Sequence, residues 1–162
     1  MIQDELLREQ LVSFLRGGQA FMPFEDAVKD FPEEHYNDVF PKGTYTFWHL
    51  LEHIRRAQAD ILNFIKNPDY KELRWPEDYW PVKVTKATNK EWERTIGEYE
   101  RDVRELEKIV MDKKTDLYRK IPWGSGQIFV REIMLTANHS AYHIGEFAIM
   151  RQVFGTWGER EG

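Results

Sequence analysis

Apolar side chains recur every three to four residues over most of this 162-residue chain, and this spacing is the strongest constraint on its fold. It gives a helix one continuous apolar side, whereas a half-buried strand needs alternation every second residue. We therefore predict helices over residues 2–16, 19–29, 46–66, 90–111 and 128–154. Pro and Gly residues are concentrated between these stretches, as expected of helix ends and loops.

The predicted fold class is all-α: an antiparallel four-helix bundle with long connections and one extra short helix, over residues 19–29. One domain over residues 1–162 is the expected organisation, because single domains commonly reach this length. Thr44 or Thr46 is the expected cap of the helix over 46–66. The segment 74–81 contains two prolines and three aromatic residues, so we predict a structured loop there.

Composition excludes several classes of function. The chain has no cysteine, which excludes a disulfide scaffold, a thiolate zinc site and a cysteine nucleophile. Its formal net charge of −5 argues against a nucleic-acid partner. No apolar run approaches the roughly 20 residues of a membrane helix, and acidic residues near the N-terminus are untypical of a signal peptide. We expect a cytoplasmic protein with neither nucleic acid nor membrane as a partner.

Four of the five histidines form two pairs with a spacing of four residues: His49 with His53, and His139 with His143. Each pair lies within a predicted long helix. Residues four apart share one side of a helix with Cβ atoms about 6 Å apart, so two imidazoles can approach one ion. Histidine is a common metal ligand, and a bundle interior is a familiar place for such a site.

Position around each helix separates the four histidines. On the helix over 46–66, His53 lies on a flank of the apolar face beside Asp60, whereas His49 lies almost opposite that face, so periodicity favours His53. The last helix is apolar on nearly all sides except for one stripe. That stripe consists of Glu132, Thr136, His139, His143, Glu146 and Met150.

Polar groups on a largely buried helix need partners, because burying them bare costs about 1–3 kcal/mol each. A metal ion surrounded by carboxylates satisfies this requirement. Core histidines that bind carboxylates directly, with no ion, satisfy it equally well. From composition and spacing alone, both interpretations stay open.

Two segments resemble the signatures of the DinB/YfiT-like superfamily: residues 46–62, with the second-helix pattern, and residues 131–146, with the last-helix pattern. The Trp-Pro-Glu-Asp-Tyr-Trp-Pro loop over 75–81 and the closing segment 151–157 are similar to one branch of that family. The resemblance thus covers most of the chain. It is the combination of motifs that is specific, since each short motif alone is not.

The resemblance implies a four-helix bundle, usually a homodimer, with a divalent metal bound by three histidines. Carried over to this sequence, the ligands are His53, His139 and His143, with His49 as the alternative to His53. The family commonly has glutamine at the position of His49, in agreement with the helical-face interpretation. Glu146 stands where many relatives have glutamine, which puts any role carried over for that amide in doubt.

Three neutral histidines leave open metal positions, as in catalytic rather than sealed structural sites, and Zn or Ni are the expected ions. Such an ion can activate water for a hydrolase or a thiol for a transferase. The resemblance favours a transferase that joins a low-molecular-weight thiol to a small-molecule electrophile. Glu132, Glu146 and Asp60 are the candidates to orient imidazoles or move a proton. The competing hypothesis is a non-catalytic bundle dimer that acts as an interaction or stress-response module.

Overall fold

The computed structural model describes residues 2–158 of the protein. Within them it contains five α-helices and no β-strand: α1 (Ile2–Arg16), α2 (Phe24–Val28), α3 (Phe47–Lys66), α4 (Asn89–Met111) and α5 (Phe129–Phe154). The all-α fold class is confirmed, and the four long helices begin and end within one residue of the predicted bounds. The domain predicted over residues 1–162 also includes Met1 and residues 159–162, which lie outside the described residues.

The helix predicted over 19–29 is wrong in its first half, because only Phe24–Val28 is helical. Pro23 takes the N-cap position with an extended ψ of 148°. A proline ring also disfavours helical geometry in the residue before it, so a helix cannot run from residue 19 through Met22. Gly17 and Gly18 adopt φ values of +75° and +86°, which end α1 and redirect the chain.

The pairwise contacts between the helices show their relative directions. Helix α3 packs against α4 and α5, and α1 packs against the same two helices. Helices α1 and α4 are antiparallel, since Arg8 donates to the carbonyl of Val110 while Arg16, farther along α1, binds Glu107. Helices α3 and α5 are antiparallel as well, as predicted, since Phe47 contacts Phe147 while His53, farther along α3, contacts His139, earlier on α5.

Helices α3 and α4, in contrast, run in the same direction, so the predicted antiparallel arrangement is wrong for this pair. Trp48, near the start of α3, donates to Thr95, and Lys66 at the end of α3 binds Glu105 farther along α4. Two parallel helices require a connection that returns along the whole bundle. Residues 67–88 provide it, which is the physical reason for the long connection and for its position over the side of α3.

Two hydrophobic clusters fill the bundle and leave a polar layer between them. The first is rich in aromatic residues and includes Phe47 and Phe147, and the second is mostly aliphatic and includes Leu62 and Ile133. Between them, α3 and α5 carry buried polar side chains. These are His53 and Gln58 on α3 and Thr136 and Ser140 on α5. The predicted histidine ligands lie in or beside this layer.

Two ends of these helices show how local sequence sets their positions. Thr46 caps α3: its hydroxyl accepts a hydrogen bond from the His49 amide at 3.1 Å. Gly155 ends α5 with φ of 65°, a left-handed conformation that glycine adopts without a steric penalty. No helix within residues 2–158 combines the length and the apolar character that crossing a membrane requires.

Candidate metal centre

Three histidines from two helices converge at one point of the bundle. His53 on α3 and His139 and His143 on α5 each offer a ring nitrogen, and these atoms all lie within 4.8 Å of one another. The ring centroids are 5.0 Å apart for His53 and His139, 4.8 Å for His53 and His143, and 4.6 Å for His139 and His143. This three-histidine group could therefore hold a metal ion.

Hydrogen bonds orient the rings of His53 and His143, and in both rings the bonded nitrogen is Nδ1. The Nδ1 atom of His53 lies 3.1 Å from the carbonyl oxygen of Tyr79, and Nδ1 of His143 lies 2.8 Å from Oε2 of Glu146. Since both partners are acceptors, each Nδ1 carries the proton in the neutral ring, and Nε2 keeps its lone pair. Partners of this kind fix the orientation of metal-binding histidines and raise their basicity.

Burial keeps the three rings neutral. It lowers the pKa of His53, and together with the nearby His53 it lowers the pKa of His139 to about 4. Burial, followed by His139 and His53, lowers the pKa of His143 to about 3. Only a neutral imidazole has a lone pair to donate, so at neutral pH all three rings are in the form that binds metal.

Of the three predicted carboxylates, only Glu146 contacts an imidazole. Its second oxygen accepts a hydrogen bond from the hydroxyl of Tyr45, in the segment before α3. Burial raises the pKa of the Glu146 carboxyl. Tyr45 and Glu146 thus form a short chain that ends on His143.

Asp60 and Glu132 lie farther from the imidazoles. Asp60 accepts hydrogen bonds from Tyr79 at 2.7 Å and Tyr70 at 3.0 Å, so it reaches His53 only through the backbone of Tyr79. Burial raises the pKa of the Asp60 carboxyl. Glu132 pairs with the neighbouring Arg131 at 2.6 Å. Neither carboxylate has an imidazole among its hydrogen-bond partners within residues 2–158.

His49 is buried but is not part of the three-histidine group. Its Nδ1 accepts a hydrogen bond from the Thr46 amide at 3.3 Å, and its Nε2 lies 2.9 Å from the carbonyl of Thr85. Both ring nitrogens are therefore engaged in holding the start of α3 and the 67–88 connection. The side of α3 opposite its apolar face is covered by that connection, which is why His49 is buried there.

The aromatic loop over 75–81 covers His53. The Trp80 ring is stacked on the His53 imidazole, with centroids 3.9 Å apart and planes 6° from parallel. Trp75 approaches the same imidazole edge-on at 6.0 Å. Sequence analysis predicted the loop but no contact with a histidine. The carbonyl of Tyr79 had no sequence signal at all, because every residue has such a carbonyl.

An apolar cleft of about 530 Å³ lies beside this loop. Trp80 and Tyr45 line it, and their rings are in tilted contact at 5.1 Å. The same two side chains contact His53 and Glu146 respectively, so they form a wall shared by the cleft and the three-histidine group. The rest of the lining includes His49, Pro76, Pro81 and Val82.

The residues present fit a divalent metal. Three neutral imidazoles suit zinc, nickel, copper or iron, and the inward nitrogens are close enough to share one ion. Among the described residues, the group consists of these three histidines alone, with no cysteine or carboxylate. An ion bound there would keep coordination positions for small molecules.

Fold and site together define a helical bundle with a three-histidine group between antiparallel helices. The family model of the DinB superfamily matches residues 19–147, and the chain belongs to this superfamily. The membership predicted from its motifs is thereby confirmed. No curated protein and no solved structure matches the chain.

Proposed function

We propose that this protein is a divalent-metal-dependent enzyme that transfers a low-molecular-weight thiol to an electrophilic small molecule. Zinc or nickel is the proposed ion, bound by His53, His139 and His143. The observation that carries the proposal is the convergence of three neutral imidazoles within 4.8 Å, two of them oriented by hydrogen bonds at Nδ1. The homodimer and cytoplasmic location expected from the sequence stay predictions.

A divalent ion at this site supplies a Lewis acid that favours the thiolate form of a thiol. The chain's own residues supply the rest. Tyr79 and Glu146 hold two of the rings in place, and Trp80 shields one face of His53 from water. In the reaction a sulfur–carbon bond forms while the bond from that carbon to its leaving group breaks. The thiol proton and the leaving group depart to solvent.

The apolar cleft beside Trp80 is the proposed site for the electrophile. Its lining of tryptophan, tyrosine, proline and valine side chains suits an apolar or aromatic molecule. Trp80 and Tyr45 line the cleft and also contact His53 and Glu146, so an electrophile bound there lies close to the three-histidine group, where the thiol would be held. The volume of about 530 Å³ is within the range of small-molecule sites.

Elemental analysis of untagged protein, purified without added metal, tests the metal. We expect close to one divalent ion per chain in the wild type and in His49→Ala, and much less in His143→Ala. His49→Ala is the matched control, because it removes a buried imidazole of the same motif that lies outside the group. Full metal content in His143→Ala would contradict its assignment as a ligand.

A transfer assay tests the reaction. Metal-loaded protein is mixed with 1-chloro-2,4-dinitrobenzene and one thiol, and parallel reactions use cysteine, glutathione or 2-mercaptoethanol. The thioether product is followed by absorbance. We expect a rate above the uncatalysed reaction that disappears with chelation and in His53→Ala. A metal-loaded protein without activity toward any thiol and electrophile would favour the competing hypothesis, a non-catalytic interaction module.

A further inference from the structure

A second cleft, of about 550 Å³, is lined by residues of α3, α5 and the two connections 67–88 and 112–128. None of the three clustered histidines lines it, and the proposed transfer reaction does not use it. Its lining combines carboxylates with aromatic rings. The members that carry the inference are Asp60, Glu132, Phe64, Tyr70, Tyr79 and Trp123.

Helix geometry places the two carboxylates at the same level of the bundle. Asp60 follows His53 by seven residues on α3, and Glu132 precedes His139 by seven residues on α5. Because α3 and α5 are antiparallel, both steps lead in the same direction, by about 10 Å at 1.5 Å per residue. The carboxylates therefore lie two helical turns from His53 and His139, and both line the cleft.

Glu132 has hydrogen-bonding capacity that the protein does not use. Its side chain is only 3% exposed, and Oε1 binds the guanidinium of Arg131, which is 54% exposed. Its Oε2 accepts no hydrogen bond from any residue between 2 and 158, and Glu132 lines the cleft. A buried carboxylate can accept about four hydrogen bonds, so an unfilled oxygen that faces a cavity suits a cationic donor.

The aromatic lining supports the same charge. Phe64, Tyr70, Tyr79 and Trp123 present four rings to the cleft, and aromatic faces attract organic cations. The hydroxyls of Tyr70 and Tyr79 already donate to Asp60, so the polar ends of both side chains are occupied. Together with Glu72, three carboxylates and one arginine line the cleft, so its net charge is −2 when all are ionised.

We infer that this cleft binds the ammonium group of a small organic amine, with the amine between Glu132 and Asp60 and the apolar part of the ligand against the aromatic rings. Neither a metal at the three histidines nor the proposed transfer reaction is needed for this binding. A neutral molecule of the same shape can donate only an uncharged hydrogen bond to the carboxylate, which is weaker, and an anionic one is repelled by it, so both bind less well.

Calorimetric titration of the full chain with 2-phenylethylamine and with 2-phenylethanol tests the inference. The two probes have similar shape, but only the amine is charged at neutral pH. We expect the amine to bind at least about tenfold more tightly, since one charge-assisted hydrogen bond commonly contributes this much. Equal affinities for the two probes, or no binding of the amine, would overturn the inference. This test uses the wild-type chain and does not depend on the folding of any variant.

Variants then locate the site. Glu132→Gln and Asp60→Asn, on different helices, should each lower the affinity for 2-phenylethylamine about tenfold, whereas Glu107→Gln, which lies on α4 outside the cleft, should not. His143→Ala should also leave amine binding unchanged, so a failure of the metal proposal leaves this test intact. Unchanged affinity in both folded cleft variants would overturn the proposed position.

Discussion

The two histidine pairs have the same spacing, yet the bundle uses them differently. On α5, both His139 and His143 enter the three-histidine group. On α3, only His53 does. His49 instead hydrogen-bonds to the Thr46 amide at the start of the helix and to the Thr85 carbonyl in the 67–88 connection. All four rings lie in the interior or at its edge, so burial does not distinguish them. They differ in what their ring nitrogens contact. Both nitrogens of His49 contact backbone groups, whereas each of the other three rings offers one nitrogen to the group.

The segment that packs against each histidine of α3 explains the difference. Because α5 faces α3 along the stripe that contains its pair, successive turns of α5 present both imidazoles to the same residue of α3. One turn earlier on α3, His49 lies under the connection instead of opposite α5. A motif with a spacing of four therefore predicts two rings on one side of a helix, but the neighbouring segment decides whether both can reach one ion.

Removal of a ligand gives the largest contrast between the two pairs. His53→Ala and His143→Ala should lower the affinity for zinc by more than about 100-fold, since loss of even an outer hydrogen-bonding partner commonly costs 10–100-fold. His49→Ala should keep the wild-type affinity. Competition with a chromophoric chelator measures all three. Equal losses in His49→Ala and His53→Ala would show that the pairs do not differ.

Acid stability of the metal-free protein gives the next contrast. Burial lowers the pKa of His139 to about 4 and of His143 to about 3, whereas in the unfolded chain both keep a value near 6.5. Below pH 6.5 the unfolded chain therefore binds more protons than the folded one, and stability is lost as the pH falls toward 4 and 3. We expect this loss in urea unfolding of chelator-treated protein between pH 7 and 4.5.

The double variant His139→Gln/His143→Gln should flatten that pH dependence more than His49→Gln does. Burial also lowers the pKa of His49, but its hydrogen bond to the Thr85 carbonyl opposes the shift. An equally steep dependence in the double variant and in the wild type would rule out the α5 pair as its source.

Thermal stability should reveal the structural role of His49 in the α3 pair. His49→Ala leaves the Thr46 amide and the Thr85 carbonyl without their partner and should cost about 1–3 kcal/mol, or several degrees in melting temperature for a chain of this size. Calorimetry of the metal-loaded protein measures this loss while metal content stays full. An unchanged melting temperature would refute the structural role of His49.

The smallest effect is expected at Glu146. Glu146→Gln keeps an amide oxygen that can accept from Nδ1 of His143, so its metal affinity should fall by at most about tenfold, the lower end of the range for such partners. Glu146→Leu, which has no acceptor, serves as the comparison and should lose more. The same chelator competition measures both variants, and equal affinities in them would exclude a positioning role.

Much of the fold and part of the site could be predicted from the sequence. The apolar spacing predicted four long helices, and the polar stripe on the last one pointed to His139, His143 and Glu146. The position of His53 on the flank of its helix favoured it over His49, and in the structure His53 is the one that meets the α5 pair. The helix predicted from residue 19 was wrong, because Pro23 disfavours a helical conformation in Met22 and only Phe24–Val28 is helical.

Other contacts of the site could not be predicted, because they depend on how separate segments meet. Glu132 and Glu146 lie on one stripe of α5, but only Glu146 contacts His143 and Tyr45, whereas Glu132 lines a different cleft together with Asp60. The carbonyl of Tyr79 and the stacked ring of Trp80 come from a loop whose course no local pattern specifies.

The sequence by itself determined the class of fold, the polar stripe on α5 and the membership of the DinB superfamily, because helical periodicity and short motifs are local properties of the chain. Only the tertiary structure decided which imidazoles converge, which carboxylate orients them and what covers them. These choices depend on the axial shift between α3 and α5 and on the path of the 67–88 connection. Both are set by packing among distant residues, which spacing within one helix does not encode.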